Sequence, residues 1–129
     1  MENVFVESKI KSFRDLRTWQ EGRRLFCEVH KITVNFPKEE RYVLTSQLHS
    51  SALSIPANIA EGMGRGSPKD LIRFLIQARG SLHEVLSHLQ LAFDLKYISL
   101  EEFNKLEKDY NGLNAGVNSH IESLRSYVK

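Results

Sequence analysis

Apolar residues recur every three or four positions along four stretches of this chain, a spacing typical of helices that bury one face. The longest stretch lies between positions 68 and 96. Its apolar stripe consists of Leu71, Leu75, Ala78, Leu82, Val85, Leu89 and Ala92. No stretch alternates apolar and polar residues as a half-buried strand would, and no hairpin turn separates two β-branched runs. The sequence therefore predicts an all-α fold.

Capping and turn residues mark the helix boundaries. Ser67 and Pro68 are suited to the N-cap and the first helical position, and Ser99 with Glu102 forms a capping box. These marks predict helices over roughly 14–35, 39–63, 68–96 and 100–127. Because the connections are short, we expect an antiparallel up-down-up-down four-helix bundle in a single domain of residues 1–129. Pro56 removes a backbone hydrogen bond inside the second helix, so we expect a kink there.

Length and composition point to an ordinary soluble domain. The 129 residues are enough to bury a core without a metal or a disulfide. The single cysteine, Cys27, excludes an internal disulfide and fits a reducing compartment. Residues 1–13 lack the apolar segment of a signal peptide, and no apolar run approaches the roughly 18 residues of a membrane span. We therefore expect a cytoplasmic protein with no membrane partner.

Residues that could perform chemistry are not grouped in a recognisable motif. His83 and His88 are five positions apart, about 140° around a helix, so they cannot share a metal ion. Cys27 and His30 share a face, but two ligands do not make a zinc site. The glycine-rich loop at 62–67 follows a helix and lacks the Gly-Lys-Ser/Thr ending of a phosphate loop. The sequence predicts no metal, no cofactor and no enzymatic activity.

Asn58 and Glu61 leave one enzymatic alternative open, because both follow Pro56 closely in the second helix. A buried pair at the bottom of a pocket would be a candidate catalytic site. The plainer interpretation is that the two side chains satisfy backbone groups released by Pro56 or cap the end of the helix.

From Phe13 to Ile98 the chain resembles a known bacterial family. The strongest match is the run Ser54-Ile55-Pro56-Ala57-Asn58-Ile59-Ala60-Glu61-Gly62, followed by Arg65. Other matching residues are Phe13-Arg14-Asp15-Leu16, Trp19-Gln20, Asn35-Phe36-Pro37, Gln47-Leu48, Phe74-Leu75, Ala78-Arg79-Gly80-Ser81-Leu82 and Glu84. This pattern resembles the proteins encoded in 23S ribosomal RNA intervening sequences, a family similar to the accessory variability determinant of diversity-generating retroelements.

The resemblance implies a four-helix bundle assembled as a barrel-like homopentamer with a basic surface. It also implies two classes of partner, because the retroelement accessory proteins bind nucleic acid and a reverse transcriptase. The structural motif that it carries over consists of Gln47, Pro56, Asn58, Glu61 and Gly62. His49 and Ser50 stand where the family usually has an arginine pair, so the second helix lacks two positive charges.

Folding the chain as an antiparallel bundle separates its charges. One end, here called the basic end, collects the start of the first helix, the loop between the second and third helices, and the end of the fourth. Its nine basic residues are Lys9, Lys11, Arg14, Arg17, Arg65, Lys69, Arg73, Arg125 and Lys129. Its five acidic residues are Glu7, Asp15, Glu61, Asp70 and Glu122, which leaves a balance of +4. Ordinary scatter of surface charge is the alternative interpretation.

Arg65, Lys69 and Arg73 are the predicted nucleic-acid contacts, supported by Lys11, Arg14 and Arg125. Exposed amides at the start of the third helix could add to an anion site, although a plain flexible turn is the alternative. The first functional hypothesis is a homo-oligomer that binds RNA or DNA backbone without sequence preference. The second is a protein-interaction scaffold for a polymerase or reverse transcriptase.

The third helix carries more apolar residues than a single stripe needs. Ile72, Ile76, Leu86 and Phe93 form a second line, and Phe74 lies outside both. Burial against another copy of the chain would explain this surplus, and a wider core within one chain is the competing explanation.

Overall fold

A computed structural model describes residues 10–128, and within this range the chain is all-helical with no strand. Its four helices are α1 (Arg17–Thr33), α2 (Leu44–Gly64), α3 (Pro68–Asp94) and α4 (Leu100–Arg125). Two short 3₁₀ turns, Phe13–Asp15 and Lys38–Glu40, precede α1 and α2. The predicted all-α fold is confirmed. The second helix starts at Leu44 rather than near position 39, because Val43 has a non-helical backbone.

The predicted capping residues act as caps. The Ser67 hydroxyl accepts a hydrogen bond from the Asp70 amide at 3.2 Å, and Pro68 is the first residue of α3. At the start of α4 the Ser99 hydroxyl accepts from the Glu102 amide, and the Glu102 carboxylate accepts from the Ser99 amide. Each cap satisfies an amide that has no partner within its helix.

The core is built from the predicted stripes. All seven stripe residues of α3, from Leu71 to Ala92, are fully buried. Helix α2 packs most closely against α3, whereas α1 and α4 form the loosest of the neighbouring pairs. Two glycines allow close approach: Gly22 of α1 faces Pro56 of α2, and Gly62 of α2 faces α3.

The surplus apolar residues of α3 pack mostly within one chain. Phe74 is only 7% exposed, and Ile72, Leu86 and Phe93 are partly buried against the core. Ile76 is the exception, at 39% exposed. A wider core in the single chain therefore accounts for most of the surplus, and assembly with other copies stays a prediction.

Pro56 is buried inside α2, and the helix continues beyond it to Gly64. The kink expected at Pro56 also stays a prediction. Among residues 10–128, no helix is both long and apolar enough to cross a membrane.

Candidate nucleic-acid interface

Two of the predicted contact residues share one aromatic ring. Arg65 follows the last residue of α2, and Arg73 lies in the second turn of α3. Their guanidinium carbons lie 5.2 Å and 4.6 Å from the centre of the Phe74 ring. Each such cation–π contact contributes about 0.5–1 kcal/mol at an exposed site. Because Phe74 is anchored in the core, it holds both guanidinium groups at the α2–α3 junction.

Three of the predicted cations form exposed ion pairs with neighbouring carboxylates. Arg65 pairs with Glu61 at 3.1 Å, Arg73 with Asp70 at 3.4 Å, and Arg125 with Glu122 at 3.1 Å. Exposed pairs of this kind stabilise a protein by about 0–1 kcal/mol and are screened by salt. A phosphate group could therefore replace the carboxylate at low cost.

Lys69, near the start of α3, and Arg125, at the end of α4, lie on the same groove. Together with Ile72 and Val128 they line a shallow groove of about 380 Å³. Lys69 is exposed and has no carboxylate partner in the described part of the chain, so its full charge is available to a ligand.

The turn before α1 carries the other two predicted cations. Lys11 and Ser12 donate backbone hydrogen bonds to the Asp15 carboxylate at 2.7 Å and 3.1 Å, and these bonds lower the pKa of Asp15. The Arg14 guanidinium lies 4.5 Å from the centre of the Phe13 ring. That ring shares an apolar groove with Ala57 and Ala60, so the turn packs against the later half of α2.

The described part of the basic end has seven basic and four acidic residues, a balance of +3. Lys9, Lys129 and Glu7 lie outside the described residues. At the start of α3 the Asp70 amide is already bonded to Ser67, and the Asp70 carboxylate lies beside it. The Asp70 amide, which was part of the predicted anion site, therefore already donates to the Ser67 hydroxyl. The candidate contact with phosphate then consists of side chains alone.

The family model for the 23S rRNA-intervening sequence protein matches residues 14–119. The chain belongs to this family. A solved structure from the S23 ribosomal protein family of Bacteroides thetaiotaomicron, a protein of unknown function, is 25% identical with a TM-score of 0.72. The match covers 81% of this chain and 97% of that one. Comparison with curated proteins gives no match.

In this member of the 23S rRNA-intervening sequence family, the Asn58 side chain forms hydrogen bonds within α2. Its side-chain amide donates to the Ser54 carbonyl at 2.8 Å and contacts the Ser54 hydroxyl at 2.9 Å. The Ser54 hydroxyl in turn lies 2.8 Å from that of Ser81, which joins α2 to α3. Pro56 has no amide to donate to the carbonyl of Ala52, four residues earlier. Asn58 bonds to the Ser54 carbonyl and not to that of Ala52.

The other motif residues have separate positions. Glu61 is exposed and pairs with Arg65, so it does not form a buried pair with Asn58. Gln47 is exposed on α2, whereas Pro56 and Gly62 are buried at helix contacts. Asn58 and Glu61 therefore make separate structural contacts, and neither bond is to the backbone group that Pro56 releases.

His49 faces α1. Its Nε2 atom lies 2.7 Å from the Thr33 hydroxyl, and its ring centre lies 5.5 Å from that of His30. Burial, and then the neighbouring His30, lower the pKa of His49, which favours the neutral ring near pH 7. No group of three or more potential metal ligands occurs in the described range.

The sequence did not point to six exposed apolar residues that lie in or beside the two other connections. They are Val34, Tyr42, Val43, Leu91, Leu95 and Leu100. The connections touch, because the Tyr97 hydroxyl donates to Glu40 at 2.7 Å and the rings of Phe36 and Tyr97 are 5.3 Å apart. We call these six residues the apolar end. The sequence feature that could have identified them is their position outside the four apolar stripes.

Proposed function

We propose that this protein is a non-enzymatic, cytoplasmic homo-oligomer that binds the phosphate backbone of RNA or DNA through its basic end. The observation that carries the proposal is the placement of Arg65 and Arg73 around the anchored Phe74 ring. Lys69 and Arg125 extend the positive surface toward α4. Cations held close together can neutralise successive phosphates, which is the dominant contribution to sequence-independent binding.

Antiparallel helices and a bend at Pro56 belong to the same proposal. Along α2 and α3, Gly62 faces Phe74, whereas the earlier Ser54 contacts the later Ser81. This order supports an antiparallel pair. A bend is supported by Pro56, which lacks the amide that the Ala52 carbonyl would otherwise accept from.

Binding is expected to tolerate any base sequence. Phe74, the ring that Arg65 and Arg73 share, is only 7% exposed and is therefore not free to stack on a base. Arginine and lysine contacts to phosphate position a strand without reading its bases. An oligomer, proposed here as a homopentamer by resemblance, would repeat the basic end around a ring.

A salt titration tests this proposal. A fluorescein-labelled single-stranded RNA of mixed sequence is titrated with the protein between low and physiological salt, and anisotropy gives the affinity. If the six predicted cations each neutralise one phosphate, the logarithm of the affinity should fall with the logarithm of salt at a slope of about −4. Light scattering at the same protein concentration supplies the mass of the binding species. Absence of binding at low salt, or affinity that is insensitive to salt, would contradict the proposal.

The apolar end favours a second candidate function, a scaffold that docks another protein such as a reverse transcriptase. Tyr42, Leu95 and Leu100 are each more than half exposed, and they lie in or beside the two connections that the bond from Tyr97 to Glu40 joins. Clusters of exposed apolar side chains commonly mark protein interaction sites.

Capture from nuclease-treated cell extract distinguishes the scaffold from the nucleic-acid binder. A partner that survives nuclease should be lost when Tyr42→Glu and Leu95→Glu are combined. Leu53→Glu is a matched control, because Leu53 is comparably exposed but lies in the middle of α2. Loss of the partner on nuclease treatment, or equal loss with the control, would contradict docking at the apolar end.

A further inference from the structure

A cleft of about 610 Å³ lies between α1 and α4. These helices are the most loosely packed neighbours in the fold, and two glycines of α4 widen the space between them. A Cβ atom at Gly112 would have no atom within 4 Å, and one at Gly116 would meet the Thr18 methyl group at 3.5 Å. Leu16 and Leu113 supply apolar wall surface. The cleft is large enough for a small organic molecule.

Thr18 and His120 are polar residues in the wall of the cleft. Thr18 is 8% exposed, and its Oγ1 atom has no hydrogen-bond partner within the described residues. This oxygen has almost no accessible surface, so a ligand in the cleft does not reach it. His120 lines the same cleft, and burial lowers the pKa of its ring. A neutral imidazole can both donate and accept a hydrogen bond.

The charges around the cleft favour an anion. Arg24 bonds to Glu21 at 3.0 Å and to Asp109 at 3.3 Å, so the two carboxylates of the cleft share one cation. Arg17 and Lys108 also line the cleft, and neither has a carboxylate partner in the described part of the chain. A negatively charged ligand would therefore meet two available cations.

We propose that the α1–α4 cleft binds a small organic anion with an apolar body. The apolar body lies against Leu16, Leu113 and the α4 glycines, and the acidic group contacts Arg17 and Lys108. A hydrogen-bonding group on the body reaches His120. This site is separate from the proposed phosphate contacts at Arg65, Lys69 and Arg73, so either proposal can fail without the other.

The test uses 1-naphthyl phosphate as the probe and 1-naphthol as its uncharged counterpart, added to full-length ¹⁵N-labelled protein. Nuclear magnetic resonance should show chemical-shift changes centred on Gly112, Gly116 and His120, with tighter binding of the phosphate. Gly112→Leu fills the cleft and should weaken binding at least tenfold. Gly80→Leu is the matched control, because Gly80 is also a helical glycine with open space around its Cβ position. It should bind the probe as the unmodified protein does.

A second pair of variants tests the anion preference. Lys108→Glu should remove most of the preference for the phosphate over naphthol, whereas Lys105→Glu, on α4 but outside the cleft, should keep it. Circular dichroism confirms that each variant is folded. Shift changes centred elsewhere, equal binding of the two probes, or unchanged binding by Gly112→Leu would overturn the proposal. A change of oligomeric mass in Gly112→Leu without a change in probe affinity would also overturn it and identify the cleft as a contact between copies.

Discussion

Replacing Gly62 by valine is expected to lower the free energy of unfolding by about 3 kcal/mol or more. A Cβ atom at this position would lie 2.7 Å from the Phe74 Cβ and 3.3 Å from the Leu71 Cα. Neither atom can move away without displacing α3, because the Leu71 Cα is a backbone atom and the Phe74 Cβ is bonded to one. Alanine adds one methyl group and gains about 1 kcal/mol of helix propensity, so Gly62→Ala should lose only about 1–2 kcal/mol.

Gly80→Ala is the control for the Gly62 variants. Gly80 lies within α3, and a Cβ there would have no atom within 4 Å. Helix propensity alone should raise the stability of this variant by about 0.5–1 kcal/mol. Urea unfolding followed by far-ultraviolet circular dichroism measures all three variants. Equal stabilities of Gly62→Ala and Gly80→Ala would show that α2 and α3 do not approach as closely at Gly62 as described.

The all-helical fold could be predicted because apolar spacing and capping chemistry are local properties of the sequence. The α3 stripe requires only a period near 3.6 to identify its buried face, and Ser99 and Glu102 are three positions apart as a capping box requires. The sequence marked Gly62 as a motif residue, but it did not show why glycine is needed there. Glycine is needed because Phe74, twelve positions further along the chain, leaves no room for a Cβ atom. Such distances depend on how two helices cross, which periodicity does not specify.

Surface chemistry was predicted only where charge alone defined it. The sequence predicted Arg65, Lys69 and Arg73 as contacts from their positions along the chain. It did not predict the Phe74 ring that Arg65 and Arg73 share, because Phe74 lies outside the main stripe. The apolar end and the α1–α4 cleft depend on the paths of the connections and on the looseness of one helix pair. Neither is encoded in a run of neighbouring residues.

Reversing two charges of the basic end, with Arg65→Glu and Lys69→Glu together, is expected to weaken RNA binding by about 100-fold or more at low salt. A hydrogen bond to a charged group contributes about 1.5–3 kcal/mol, so loss of two such contacts removes at least about 3 kcal/mol of binding energy. The salt slope should also become shallower by about 1.4, because two fewer phosphates are neutralised. Fluorescence anisotropy with the labelled RNA measures both quantities.

The matched control combines Lys38→Glu and Arg41→Glu in the connection before α2, where both residues are exposed. It changes the net charge by the same amount at a distance from the proposed contact, so it isolates position from total charge. We expect it to keep most of the affinity and the full salt slope.

In the binding variant, glutamate at position 65 would lie four residues after Glu61, and this like-charge pair costs α2 a few tenths of a kcal/mol. Thermal unfolding of both double variants must therefore accompany the titrations. Equal losses of affinity in the two would mean that RNA responds to the net charge of the protein, and the assignment of Arg65 and Lys69 as contacts would then be wrong.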